Sequence, residues 1–218
     1  MKKIYIAIIA ILLFAPGCST SMITSTWKAP TTTAKHYKKI LVLGLIGEPD
    51  RNMREKMEEH IAGDLRNLGY DALCACEVYS PKAFDGVTEK EAVRWLSNEG
   101  FDAVITVVLL DKEKEPHFTP GHGYISPSPV QQRQFWEYYT AMRGRVYDPR
   151  YYSSTTKYFW ETNFYDLSDL ALVYSAQSQS FDPQSYGKMA HEYGLMIVNN
   201  MVKQGVLQKQ NAPALKSF

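Results

Sequence analysis

Long aliphatic runs alternate with amphipathic stretches through the middle of the chain. "KKILVLGLIG", residues 38–47, is apolar without a break, which suits a strand buried on both faces in the parallel part of an α/β sheet. Asp50 stands where a helix cap is expected. Met53, Met57, Ile61, Leu65 and Leu68 then recur every three or four residues, and Gly69 stops the helix. The move repeats. "YDALCACEVYS" is a predicted second strand, and "TEKEAVRWLSNEG" opens with the capping box Thr88 to Glu91 and closes at Gly100. "FDAVITVVLL" is a third strand. Two strand–helix–strand units in succession imply right-handed crossovers and three parallel strands.

Beyond Asp111 the pattern changes. Residues 111–155 hold Pro, Gly, His and many aromatics with no sustained period, and form an insertion. "TKYFWETNFYD" then alternates, with Tyr158, Trp160, Thr162 and Phe164 on one side, and "LALVYSAQSQSF" follows the short turn "LSD". These two predict an antiparallel hairpin added to the sheet. Asp182 and Pro183 are placed at the N-cap and first position of a last helix, with Tyr186, Met189, Tyr193, Ile197 and Met201 turned inward and Gly205 at its end. The expected fold is α/β: a mixed sheet of about five strands, three parallel and two in a hairpin, with a C-terminal helix. It forms one domain over residues 36–207, followed by a flexible polar tail, 208–218.

The N-terminus has a different grammar. Lys2 and Lys3 precede an apolar stretch from Ile4 to Phe14, too short for a membrane-spanning helix, which needs roughly 20 residues. Small residues follow, ending "APGCST", so residues 1–17 have the three-part form of a secretory signal. Gly17 followed by Cys18 resembles the lipobox of bacterial lipoproteins, with Ala15 and Pro16 departing from its usual residues. The resemblance implies that Cys18 is acylated, with palmitate among the expected chains, and becomes the mature N-terminus. Ser19 after it implies the outer membrane. Residues 18–35, rich in Ser and Thr, are expected to be a tether.

A net charge of +1 argues against a general nucleic-acid partner. Cys74 and Cys76, on one face of a predicted strand, would have Cα atoms close to 7 Å apart, so a bridge between them is not expected and they are assigned as small core residues. No metal or other cofactor is predicted. His117 and His122 lie in a Pro- and Gly-rich loop, and His36, His60 and His191 have no sequence-level partners. Glu161 and Asp166, five apart on one strand, face opposite sides and do not form a carboxylate pair. No G-x-S-x-G elbow is present, and "GEPDRNMR" lacks the glycines of a phosphate loop, leaving Glu48, Asp50 and Arg51 as weak ligand candidates.

The 15 tyrosines are concentrated around "QFWEYYTAMRGRVYDPRYYSSTTKYFW". Tyr, Trp and Arg are enriched at binding hot spots. Trp136, Tyr138, Tyr139, Arg143, Arg145, Tyr147, Arg150, Tyr151 and Tyr152 are therefore candidate contacts to an envelope protein partner, against the alternative that the rings cover the sheet as a satellite core. With the lipid signal in front, the element order resembles the small α/β domain shared by the curli-secretion lipoprotein family and the N-terminal domain of TolB-type periplasmic proteins. "KKILVLGL", "GFDAVITV", "ETNFYD" and "LVYSAQSQSF" resemble, more specifically, a group of bacterial envelope lipoproteins. These motifs are structural and name no reaction. The expectation is a non-catalytic adaptor or accessory subunit in the periplasm, with a ligand-binding or oligomeric secretion component as the alternative and an enzyme third.

Overall fold

The computed structural model describes residues 20–80, 82–113, 132–146, 157–181, 183 and 185–210. The expectations for residues 1–17, Cys18, His117, His122, Tyr147, Arg150, Tyr151 and Tyr152 fall outside them.

Six strands form one sheet: β1 (Ser21–Lys28), β2 (Lys39–Leu45), β3 (Asp71–Cys74), β4 (Ala103–Glu113), β5 (Lys157–Asp166) and β6 (Ala171–Phe181), in the order β1-β6-β5-β4-β2-β3. β2 lies parallel to both β3 and β4, pairing Leu41 with Leu73 and with Val104. β5 returns antiparallel to β4, and β6 to β5. The parallel trio and the added hairpin are thus as the alternation predicts.

Helices α1 (Arg51–Asn67), α2 (Ala75–Val78), α3 (Glu89–Asn98), α4 (Phe135–Val146) and α5 (Tyr186–Lys203) complete the domain. The apolar stripes of α1 and α5 close one core, in which Met57, Ile61, Tyr193 and Ile197 meet Ile105, Val107, Trp160 and Phe164. Ala92 and Leu96 of α3 and Phe135, Tyr138 and Met142 of α4 close a second, against Leu41, Val104, Val108 and Tyr165. Alternation along β4 explains the division, since Ile105 and Val107 point one way and Val104 and Val108 the other. α1 and α5 approach closely at Gly194, where a Cβ would lie 2.6 Å from Asp64 Oδ2. The predicted capping box is formed: Thr88 accepts from the Glu91 N–H while the Glu91 carboxylate accepts from the Thr88 N–H.

Five expectations are corrected. Residues 21–28 are not tether but the edge strand β1, antiparallel to β6; polar Ser and Thr side chains suit a strand with one face in water, and only the backbone ladder reveals it. The second strand stops at Cys74, and Ala75–Val78 turns into a helix. The insertion contains α4, whose buried Phe135, Tyr138, Tyr139 and Met142 do have helical spacing. The last helix is capped by Ser185, which accepts from the Lys188 N–H, rather than by Asp182. Finally, the start of the tail is docked: the Gln210 N–H donates to the Leu68 carbonyl at 2.7 Å and the Gln208 N–H to the Tyr70 hydroxyl oxygen at 3.1 Å.

Candidate functional site

Where β2 and β3 meet α1, a carboxylate is buried among apolar side chains. Glu58 is 1% exposed. Its Oε1 accepts from the Gly44 N–H at 2.8 Å and its Oε2 from the Cys76 N–H at 2.7 Å. Glycine at position 44 is what permits the approach, because a Cβ there would lie 2.7 Å from Arg54 Cγ and 2.8 Å from Glu58 Oε1. Burial pushes the Glu58 carboxyl up to about 7, against the opposing pull of the two N–H groups and the Arg54 guanidinium. Arg54 itself is buried, and its Nε has no hydrogen-bond partner among the described residues.

Cys74 and Cys76 complete the cluster. The turn from β3 into α2 breaks the strand alternation and draws their Cα atoms to 5.2 Å, and the two sulfurs are joined as a disulfide. The expectation of two unbridged core cysteines is therefore corrected: it assumed strand geometry through Cys76, where the chain is helical. Glu58 Oε2 lies 3.3 Å from Cys74 Sγ. Glu58, Cys74 and Cys76 are also a group in which three possible metal donors converge, but the bridge occupies both sulfurs. A cavity of about 10 Å³, room for about one water, lies beside them, lined by Arg54, Glu58, Cys76, Tyr79, Phe84 and Tyr139. Sequence reasoning missed Glu58 altogether. The available signal was Arg54 and Glu58 four apart, each following a core methionine, Met53 and Met57.

The aromatic segment is divided by the fold. Tyr138 and Tyr139, predicted partner contacts, are 0% and 3% exposed and belong to the second core, because they share one face of α4 with Phe135 and Met142. Trp136 is half-buried and stacks on Tyr139 with ring centroids 5.4 Å apart. The Arg143 guanidinium pairs with the Asp85 carboxylate. Arg145 lies in α4, and its side chain is outside the described set.

Elsewhere polar candidates are engaged in the fold. Asp50 makes no side-chain cap; its carboxylate is bound by Lys112 Nζ at 2.7 Å and by the Tyr186 hydroxyl at 3.2 Å. Arg51 pairs with Glu55 at 2.8 Å. Glu161, fully buried, accepts from the side-chain amides of Asn163, Gln132 and Gln177 at 3.1–3.2 Å. Asp166 binds Lys35 at 2.6 Å; burial would raise its pKa, but Lys35 and Ser168 hold it low. His60 and His191, expected to stand alone, meet across α1 and α5 with ring centroids 5.5 Å apart. An open groove of about 450 Å³ runs past Thr31, Thr32, Lys35, Tyr37 and Asp169.

The architecture defines a three-layer α/β domain built on a six-stranded mixed sheet. No protein-family model matches the chain, and neither does any curated protein. Among solved structures it is similar to a PelC dodecamer from Paraburkholderia phytofirmans in two crystal forms. One match has 14% identity over 87% of this chain and 100% of that chain with a TM-score of 0.44, the other 13% over 81% and 95% with 0.43. It is also similar to lipoprotein GNA1162 from Neisseria meningitidis, at 17% identity over 76% of this chain and 94% of that chain, TM-score 0.38. None of these likenesses bears on what this chain binds.

Proposed function

We propose that this chain is a lipoprotein of the bacterial cell envelope, anchored through Cys18 at the periplasmic face of the outer membrane and acting as a non-catalytic adaptor or accessory subunit. The observation that carries the reading is the N-terminal sequence: two lysines, an apolar stretch of signal length, and Gly17–Cys18 followed by Ser19. The start of β1 adds a geometric consequence. Only Ser19 and Thr20 separate Cys18 from Ser21, and three residue steps span at most about 11 Å. The Thr20 N–H and hydroxyl both donate to Glu192 of α5, at 3.0 and 2.6 Å. An acyl chain on Cys18 would thus hold the β1 edge of the domain close to the bilayer instead of letting it range on a long leash.

The partner surface is narrowed from the sequence expectation. Tyr138 and Tyr139 are withdrawn as contacts; the proposal rests on Arg145, Tyr147, Arg150, Tyr151 and Tyr152, with Trp136 and Arg143 at the margin. Intact-mass measurement of the mature protein tests the anchor. Mass beyond the polypeptide from Cys18, and release from membranes in Cys18→Ala, are expected; a mature mass equal to the bare polypeptide overturns it. Crosslinking in the native envelope tests the adaptor role: Arg145→Ala and Arg150→Ala should reduce partner capture tenfold or more for a true hot spot while leaving melting unchanged.

A further inference from the structure

The bridge between Cys74 and Cys76 closes a loop of a single intervening residue. A crosslink that short removes little entropy from the unfolded chain, so it contributes little as a staple compared with one closing a long loop. Its surroundings are nevertheless specific. Cys74 is fully buried, Cys76 is partly exposed beside the small cavity, and the Glu58 carboxyl lies 3.3 Å from the Cys74 sulfur. Glu58 is fixed there by the Gly44 and Cys76 N–H groups, a placement that requires Gly44.

We infer that Cys76, Cys74 and Glu58 form a thiol–disulfide exchange site, whose co-reactant is a dithiol and in which Glu58 serves the sulfur of Cys74. The incoming thiolate attacks Sγ of Cys76, the less buried of the two cysteines and the one that lines the cavity. A mixed disulfide forms, the Cys74–Cys76 bond breaks, and its electron pair leaves on Cys74, which takes the proton of the Glu58 carboxyl. The second thiol of the co-reactant then attacks its own sulfur in the mixed disulfide and releases Cys76. The proton released when the first thiol ionised and the proton of the second, both carried through water, restore Glu58 and protonate Cys76. Two electrons and two protons have passed to the protein, and the co-reactant leaves as a disulfide; the reverse sequence reoxidises the pair. The groups facing Glu58 are Arg54 and Glu55 of its own helix, the Gly44 N–H of β2, Cys74 and Cys76 with the Cys76 N–H, and Tyr79 and Tyr139 across the cavity. Burial dominates them, and a carboxyl that holds its proton to about 7 is suited to give it up and take it back near neutral pH.

The test uses the full mature chain purified without reductant. Alkylation and intact mass should show no free thiol at positions 74 and 76, and dithiothreitol should open the bridge in the folded protein. The rate of opening in wild type should exceed that of Glu58→Gln by about tenfold or more below pH 7, the low side of general acid catalysis, and the ratio should fall toward one above pH 8. A ratio that does not change with pH overturns the role of Glu58. Should Glu58→Gln fail to fold, single cysteine variants decide: with maleimide under native conditions Cys76 in Cys74→Ser should label at least tenfold faster than Cys74 in Cys76→Ser. Equal labelling overturns the assignment. So do free thiols in the purified wild type, stoichiometric zinc held by them, or a bridge that dithiothreitol opens only after unfolding.

Discussion

The two faces of the sheet are built differently, and β5 shows it within one strand. Toward α1 and α5 it presents Tyr158, Trp160 and Phe164, together with Thr162, whose hydroxyl shares a 2.7 Å hydrogen bond with Tyr193. Toward α3 and α4 it presents Glu161 and Asn163 beside Tyr165, all fully buried. Burying a carboxylate is costly unless hydrogen bonds replace its water, and three side-chain amides gather on Glu161. The first face is therefore held mainly by apolar packing, whereas the second also depends on side chains from several elements meeting in one geometry. It follows that the first face should respond to lost volume and the second to lost partners as well.

The largest effect should come from Val107→Asp, which places an unpaired charge in the first core on the central strand β4. A loss of about 4 kcal/mol or more is expected in denaturant unfolding, enough to abolish the folded state in a marginal domain. Next in size, Trp160→Ala in the first core and Tyr138→Ala in the second should each cost about 3–5 kcal/mol. The second of these sharpens the contrast: if Tyr138→Ala melts like wild type, α4 is a detachable cover and not a core layer.

A pH-dependent effect of about 3 kcal/mol is expected from Glu58. Its folded pKa of about 7 stands above the ordinary 4.5, so the folded state binds the proton more tightly than the unfolded chain. The stabilisation is complete below about pH 4.5, declines as pH rises, and is gone above about pH 7. Melting of wild type against Glu58→Gln across that window should show the decline only in wild type. The smallest effect is assigned to Thr88→Ala, which removes the cap of α3 and should cost about 1 kcal/mol, measured as a small shift in the unfolding midpoint.

The sequence by itself determined what local periodicity can carry. Unbroken aliphatic runs marked β2 and β4, the three-and-four spacing marked α1 and α5, Thr88 and Glu91 marked the start of α3, and alternation after residue 156 marked the hairpin. The helical spacing of Phe135, Tyr138, Tyr139 and Met142 was missed within a segment expected to lack a period, because its aromatics and arginines also fit a binding surface, and packing against Tyr165 and Val108 decides for a core layer. The remaining features were left to tertiary structure for one physical reason: their signal lies in a partner distant in sequence. The polar residues of β1 become a strand because β6 offers a ladder about 150 residues later. Cys74 and Cys76 come within bonding distance because the chain turns helical between them. Glu58 sits on the edge of an ordinary amphipathic stripe and acquires its unusual proton affinity only when β2, at Gly44, and the β3–α2 turn, at Cys76, close over it and exclude water.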